Sequence, residues 1–377
     1  MYDGKTIGVV VKAYNEEGFV GGVIDTLPAY VDRAYVIDDR SEDGTWDEIV
    51  DHANRENERR RADGTAAFDP VVEPIRHERN RGVGGGLKTG YRRALEDGLD
   101  VVVCVDGDGQ MNPERMPLLI EAVTTGGADY AKGNRLTDKS DRGRMSTWRW
   151  FGNSLLTNLT RLSTGYWSVT DSQNGYTAIN RETLEALPVE DLYERYGVLN
   201  DVLAKLNVDG RVVADVRMPA EYGNEQSGIR YGSFVPNLSK LLLRNFVYRQ
   251  RRKSASLLPH PSALGYALGV LGGVAAVVGA VRSVANREFD AGVPKLVVAS
   301  LVSLLAGLLF DVGTGDAERT TVEREPADLT TPADAAAAAD AASVRSFDAD
   351  PDSEPAVAEA DGGEPMDIRH DGGREEP

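Results

Sequence analysis

Three short apolar runs in the first part of the chain, residues 7–13, 34–37 and 101–105, each end in a polar turn. Their mostly β-branched composition is typical of buried parallel strands. A fourth segment, residues 80–90, is a glycine-rich turn that opens a helix. Strands that alternate with helical stretches in this way predict a doubly wound, mostly parallel α/β sheet.

Two carboxylates, Asp106 and Asp108, stand among glycines directly after the 101–105 run. In an open α/β sheet, ligands bind just beyond the carboxyl ends of the strands. Two acids one residue apart can also direct their oxygens at one hard cation, and Mg²⁺ or Mn²⁺ held in this way commonly carries phosphates. The competing interpretation is an acidic surface turn after a strand.

Two later segments, residues 262–281 and 296–310, are apolar all round rather than along one stripe. This pattern favours membrane helices over buried helices of a soluble domain. The first segment is long enough to span a bilayer, whereas the second needs its flanks to do so. The basic run 244–253 precedes both, and the positive-inside rule places it, with everything before it, in the cytoplasm.

The formal net charge of −18 argues against a nucleic-acid-binding protein, because phosphate backbones require a cationic surface. Beyond residue 313 the chain is mainly Ala, Asp, Glu, Pro and Gly, which predicts a disordered acidic tail. Frequent acids and few lysines elsewhere favour a halophilic source over an effect of the tail alone. The single Cys104 excludes an internal disulfide, and no Cys or His cluster has zinc spacing.

Four polar segments match motifs of one enzyme family, and they occur in the family's order: Tyr14-Asn-Glu-Glu17, Asp38-Asp-x-Ser-x-Asp-Gly-Thr45, Asn80-x-Gly82 and Asp106-Gly-Asp-Gly-Gln110. The chain thus resembles the family-2 glycosyltransferases, which use nucleotide sugars and have a doubly wound domain of the glycosyltransferase A type. Residues 133–135, 151–153 and 171–176 resemble the branch that makes polyprenyl-phosphate sugars such as dolichyl-phosphate mannose. The resemblance covers about residues 5–231.

Four regions are expected: a catalytic domain at 1–233, an amphipathic, basic juxtamembrane segment at 234–261, a hairpin of two transmembrane helices at 262–312, and a disordered acidic tail at 313–377. This organisation predicts a multi-pass protein of the cell membrane with its catalytic domain in the cytoplasm.

The resemblance implies a nucleotide-sugar site that contains Tyr14, Glu16, Asp39, Lys88, Asp106 and Arg135. It also implies Mg²⁺ or Mn²⁺ held by Asp106, Asp108 and Gln110. Asp39 would accept hydrogen bonds from the base or ribose, while Tyr14 and Glu16 would shape the pocket. Lys88 and Arg135 are candidates to neutralise phosphate, although Lys88 fits a solvated helix position equally well.

Asp201 and Asp171 are the candidate catalytic residues on the acceptor side. A sugar hydroxyl needs a general base to become a nucleophile, whereas an ionised polyprenyl phosphate needs none. Many family-2 enzymes take the base from a Glu-Asp pair, but here Asn200 replaces the glutamate. Asp201 is therefore either a base or a residue that positions a substrate, and Asp171 is expected to line the acceptor side.

The resemblance implies a membrane-bound, metal-dependent, inverting hexosyltransferase. It would move sugar from a nucleotide-activated hexose to polyprenyl (dolichyl) phosphate or a lipid-linked glycan, in N-glycan or surface-layer glycan assembly. Three alternatives stay open: an elongating transferase that acts on a sugar hydroxyl of a lipid-linked saccharide, a nucleotidyltransferase, and a catalytically inactive membrane scaffold. The first strand lacks the glycine-rich turn of nucleotidyltransferases, and intact motif acids argue against a scaffold.

Overall fold

The computed structural model describes residues 1–64, 67–135, 147–171, 173–218, 231–254, 260–287, 289–315 and 322–324. The first half consists of β1 (Ile7–Ala13), α1 (Val20–Asp25), β2 (Arg33–Asp38), α2 (Thr45–Asp63), β3 (Val72–Arg76), α3 (Val83–Asp97) and β4 (Val101–Asp106). Next come α4 (Met116–Thr124), β5 (Tyr130–Asn134), α5 (Thr147–Thr164), β6 (Thr177–Asn180), α6 (Arg181–Ala186), α7 (Val198–Val208) and β7 (Val213–Arg217). The last elements are α8 (Tyr231–Lys253), α9 (Pro261–Asn286), α10 (Gly292–Gly315) and β8 (Val322–Arg324).

One sheet contains all of these strands in the order β3-β2-β1-β4-β6-β5-β7-β8. Among the described strands only β6 is antiparallel to its neighbours. Strand residues alternate between two buried clusters: Val9 and Val11 pack with α1, α2 and α4, while Val10 packs with α3 and α7. Because both faces are covered, the strands read as continuous apolar runs. The predicted doubly wound α/β fold is confirmed.

From β1 the chain adds β2 and β3 on one side of the sheet and then returns to add β4 on the other side, so β1 lies between β2 and β4. In the strand register, Lys12 of β1 stands beside Asp106 of β4, and Ala13 stands beside Asp38 of β2. The polar turns after these strands therefore meet at one edge of the sheet. Such a topological switch point is where open α/β sheets bind their ligands.

Two glycines of helix α3, Gly86 and Gly90, lie close to β1. A Cβ atom at Gly90 would collide with Val10, and one at Gly86 would lie 3.4 Å from Lys12 Cγ. Gly82, just before the helix, has φ of +80°, a conformation that residues with a side chain rarely adopt. The glycine-rich turn therefore brings its backbone close to the carboxyl end of β1.

Two helices are long and apolar enough to cross a membrane, by length and composition: Pro261–Asn286 with a mean hydropathy of 2.0, and Gly292–Gly313 with 2.2. They pack against each other at Gly265, where a Cβ atom would lie 2.6 Å from Gly307 Cα. Small residues at such crossings suit helix packing in lipid. The second helix is longer than the 296–310 segment and includes its flanks.

A buried ion pair joins the end of α8 to the end of α10. The Arg249 guanidinium donates to both carboxylate oxygens of Asp311, at 2.7 and 2.6 Å, and to the carbonyl oxygen of Leu162 at the end of α5 at 2.7 Å. Lys253 also donates to Asp311 at 2.8 Å. The apolar hairpin is thus tied to helices of the α/β domain through one buried cluster.

The strand β8 pairs in parallel with β7, inside the segment for which we predicted no regular structure. Apart from β8 and residues 313–315, the predicted acidic tail at 313–377 lies outside the described residues.

Candidate functional site

A cleft of about 810 Å³ opens at the carboxyl ends of β1, β2 and β4. Five predicted site residues line it: Tyr14, Glu16, Asp39, Asp106 and Asp108. Further lining comes from the glycine-rich turn, from the segment before α7 and from α8, through Asn80, Gly82, Gly86, Tyr193, Arg195, Tyr196, Asn237 and Leu238. The structure therefore brings together residues from six separate parts of the sequence.

The carboxylate of Asp106 accepts a hydrogen bond from the Lys12 ammonium, with 2.9 Å between Oδ1 and Nζ. On its other side Asp106 packs against Gly175, where any side chain would collide with it. Burial by itself would lower the pKa of Lys12, but the Asp106 carboxylate and its neighbours outweigh burial and raise that pKa. The ammonium is therefore a permanent positive charge in the cleft at neutral pH.

Asp108 lies two residues further on, and its Oδ1 accepts from the backbone N–H of Gln110 at 3.0 Å. This bond closes the turn and holds the Asp108 carboxylate at the cleft. Gln110 is not among the cleft-lining residues, so its role as a metal ligand stays a prediction.

The two carboxylates fit a hard divalent cation that is completed by other ligands. In the described part of the chain, no group of three or more His, Cys, Asp or Glu residues could form a metal cage by itself. Mg²⁺ and Mn²⁺ are commonly held by one or two carboxylates together with water and substrate phosphates. Asp106 and Asp108, which line the same cleft, supply such a pair of oxygen ligands.

The Asp39 carboxylate binds the backbone of the glycine-rich turn. It accepts from the backbone N–H groups of Arg81 at 2.7 Å and Gly82 at 2.6 Å, and its Oδ1 lies 2.7 Å from Nδ1 of His77. The other ring nitrogen of His77 contacts the Thr89 hydroxyl at 2.9 Å. Asp39 thus has a structural role in this state, and its contact with the base or ribose stays a prediction.

Lys88, which we expected to neutralise phosphate, contacts the segment before α7 instead. Its ammonium donates to the carbonyl oxygen of Glu190 at 2.7 Å and pairs with the Glu194 carboxylate at 3.3 Å. Arg81, together with Lys88, lowers the pKa of Glu194. Because Lys88 is not among the cleft-lining residues, its position gives no support to a direct phosphate contact.

Arg135 and Asp171 form an ion pair with 2.9 Å between Nε and Oδ2. Burial alone would raise the pKa of Asp171, but Arg135, with help from Lys132, holds it below its usual value. Arg135 remains 43 % exposed. Tyr196 lines the cleft, and burial raises the pKa of its hydroxyl. The negative charges of Asp171 and Asp106 also raise this pKa, whereas Arg135 lowers it. Neither Arg135 nor Asp171 is among the cleft-lining residues, so their contact with a substrate stays a prediction.

Asp201 lies buried beneath the cleft rather than lining it. Its carboxylate accepts from the Tyr193 backbone N–H at 2.9 Å, from Lys205 at 2.7 Å and from Arg244 of α8 at 3.2 Å. A general base must come within hydrogen-bond reach of the proton that it removes. The placement of Asp201 favours a role in holding α7, α8 and the Tyr193 segment together.

The sequence is similar to a protein-family model and to several known glycosyltransferases. The family model described as "Glycosyl transferase family 2" matches residues 8–187. A UDP-N-acetylglucosamine–dolichyl-phosphate N-acetylglucosaminyltransferase of Methanococcus voltae is 31 % identical over 54 % of this chain and 81 % of its own length. The chain belongs to glycosyltransferase family 2. An undecaprenyl-phosphate mannosyltransferase of Micrococcus luteus is 30 % identical over 61 % of this chain and 91 % of its own length.

Among solved structures, a glucosyl-3-phosphoglycerate synthase from Mycobacterium tuberculosis in complex with Mn²⁺, UDP-glucose and phosphoglyceric acid is 21 % identical, covers 65 % of this chain and 80 % of its own, and has a TM-score of 0.46. Because that score is below 0.5, the fold assignment rests on the sheet order and the family match. The predicted membership of family 2, with relatives in the polyprenyl-phosphate sugar branch, is confirmed.

The sequence analysis did not single out Lys12, His77 or Tyr196, among other residues at this site. Lys12 is a charged residue inside an apolar strand, and His77 directly follows β3, so each carried a signal that we did not use. Tyr196 had no such signal, because only the folding of the segment before α7 brings it to the cleft.

Proposed function

We propose that this family-2 glycosyltransferase moves a hexose from a nucleotide sugar to a polyprenyl (dolichyl) phosphate. The observation that carries the proposal is that Asp106 and Asp108 line the cleft, whereas Asp201, the candidate base, does not. The cleft contains two carboxylates suited to a metal–diphosphate complex, whereas the candidate base is buried beneath two cations. An ionised lipid phosphate needs no base to attack, and relatives named for dolichyl and undecaprenyl phosphate support such an acceptor.

On the donor side, Asp106 and Asp108 would hold Mg²⁺ or Mn²⁺ with the nucleoside diphosphate. A bound divalent metal supplies Lewis-acid stabilisation of the departing diphosphate. Tyr14 and Glu16 line the same cleft and would contact the nucleotide, while Lys12 places one further positive charge beside Asp106. Inversion at the anomeric carbon by a single displacement is part of this proposal.

Arg135, which the resemblance places in the nucleotide-sugar site, would in this proposal bind the lipid phosphate on the acceptor side. Its guanidinium is oriented by Asp171 yet remains 43 % exposed, and a planar fork of donors suits bidentate binding of phosphate. Asp171 is therefore a positioning residue in this proposal. A carboxylate without Arg135 in front of it would repel the acceptor instead.

We further propose that α9 and α10 span the cell membrane and that the α/β domain faces the cytoplasm. The last turn of α8 carries Arg251, Arg252 and Lys253 shortly before α9, which suits the cytoplasmic side by the positive-inside rule. The domain division at 233, 261 and 312, a role in N-glycan or surface-layer glycan assembly, and a halophilic setting belong to the same proposal.

The test is a membrane assay of the full chain with radiolabelled nucleotide sugars, Mg²⁺ or Mn²⁺, and polyprenyl phosphate. We expect acid-labile label in the organic phase and none with the Asp106→Asn/Asp108→Asn variant. Transfer only to added lipid-linked saccharides would instead assign an elongating transferase. Release of pyrophosphate in place of a nucleoside diphosphate would indicate a nucleotidyltransferase, and absence of metal-dependent nucleotide binding would indicate an inactive scaffold.

A further inference from the structure

Lys12 is a charged residue in an otherwise apolar, fully covered strand. Its side chain is only 8 % exposed, yet its Nζ reaches the cleft and lies 2.9 Å from Oδ1 of Asp106. The aliphatic part of Lys12 passes beneath Gly86, where a Cβ atom would lie 3.4 Å from Lys12 Cγ. The start of α3 therefore packs directly on the aliphatic part of Lys12.

An ammonium at this position competes with a divalent cation for the same carboxylate. Both are positive, so a metal that binds Asp106 is repelled by Lys12 over a short distance in a partly buried cleft, where charges are weakly screened. A diphosphate changes this balance, because its negative oxygens can contact the metal and the ammonium together.

We propose that Lys12 is a resident counter-cation of Asp106 and makes divalent-metal binding depend on a nucleoside diphosphate. Metal alone binds weakly because Lys12 already neutralises Asp106. When the diphosphate arrives with the metal, the Lys12 ammonium becomes a phosphate contact. The inference rests on the proposed function for the identity of the ligand, and it adds a residue that sets the order of binding.

The test compares Mn²⁺ binding to the full chain in detergent, by calorimetry, with and without saturating UDP, and with GDP in parallel. The ratio of the two Mn²⁺ dissociation constants measures the coupling between metal and nucleotide. In Lys12→Met, which keeps the aliphatic stem, we expect Mn²⁺ alone to bind about tenfold more tightly and the coupling ratio to fall about tenfold. Lys12→Arg keeps the charge and should retain most of the coupling.

Two controls separate this effect from other causes. The acidic chain offers many weak Mn²⁺ sites, so Lys12→Met is also introduced into the Asp106→Asn/Asp108→Asn background, where its effect should vanish. Binding of the nucleotide in EDTA should weaken in Lys12→Met, because the ammonium is then the cation that faces the diphosphate. An unchanged coupling ratio in Lys12→Met would overturn the proposal, as would tighter Mn²⁺ binding with no loss of nucleotide affinity.

These outcomes are distinguishable from failure of the proposed function. Lipid product with an unchanged coupling ratio would remove only the role of Lys12. Coupling that depends on Lys12, without any lipid product, would leave that role standing and remove the lipid acceptor. Failure of both UDP and GDP to bind would overturn the two together.

Discussion

At the scale of single residues, the buried Asp201 carboxylate links α7, α8 and the Tyr193 segment. Two cations and a backbone N–H surround it, and Arg244 reaches it from 43 positions further along the chain. Neutralising such a group removes charge-assisted hydrogen bonds from a buried site, and each of these is worth more than a neutral one.

We therefore expect Asp201→Asn to lower the free energy of unfolding by about 2 kcal/mol while kcat of the folded enzyme falls less than tenfold. Thermal unfolding and turnover per folded molecule, with polyprenyl phosphate as acceptor, measure the two effects. Loss of a true general base would instead reduce kcat by about 10²–10⁴-fold at unchanged stability. Lys205→Met is the matched control, because it removes a partner of Asp201 but no candidate base.

The ion pair of Asp171 with Arg135 predicts how the free energy of unfolding depends on pH. Its pKa in the folded state is held below the usual value, chiefly by Arg135 acting against burial. Its contribution to stability is therefore complete above the unfolded pKa, near 4, and is lost as pH falls through the folded pKa. We expect a shallower loss of unfolding free energy below about pH 4 in Asp171→Asn than in the wild type. Equal slopes in acid denaturation would contradict this account.

At the scale of elements, the close contact of α3 with β1 positions the glycine-rich turn over Lys12. Gly90 permits that contact, because any Cβ there would collide with Val10. The cleft depends on this spacing, since the same helix begins directly after Gly82, whose backbone N–H donates to Asp39.

Gly90→Ala should therefore destabilise the protein by about 1–3 kcal/mol through overpacking, even though alanine is the better helix former. Gly22→Ala in α1 is the control: it is exposed, has no atom within 4 Å of the added Cβ, and should be neutral or slightly stabilising. Thermal unfolding of both variants checks the prediction, and equal midpoints would show that α3 can move away from β1 at no cost.

The strand ends were the predictable part of the site. Apolar runs that stop just before Asp38 and Asp106 located the cleft, because neighbouring parallel strands bring their carboxyl ends to one edge. The antiparallel β6 was not predictable, since its short run looks like any other strand until β4 and β5 flank it. The partners of Lys88 and Asp201 also escaped prediction, because they depend on the segment before α7 and on α8, which no local pattern relates to the motifs.

At the scale of the whole molecule, the catalytic domain and the apolar hairpin meet at Arg249. This guanidinium is fully buried, and it pairs with Asp311 of α10 while it donates to the carbonyl oxygens of Leu162 and Ser163 at the end of α5. Buried ionisable residues are costly unless they are paired. The cluster therefore stabilises one arrangement of the hairpin against the domain.

Removing one partner of this pair should leave a buried charge without its main counter-ion. We expect Arg249→Met to lower the free energy of unfolding by about 3 kcal/mol. The triple variant Arg249→Met/Lys253→Met/Asp311→Leu should recover a large part of the loss, because apolar residues then replace the carboxylate and both of its cations. Arg251→Met, an exposed change on the same helix, should have little effect. Thermal unfolding of the full chain in detergent measures all three variants. If the triple variant were no more stable than Arg249→Met, the charged cluster would not be the link, and the packing of α8 on α5 would have to hold the hairpin to the domain.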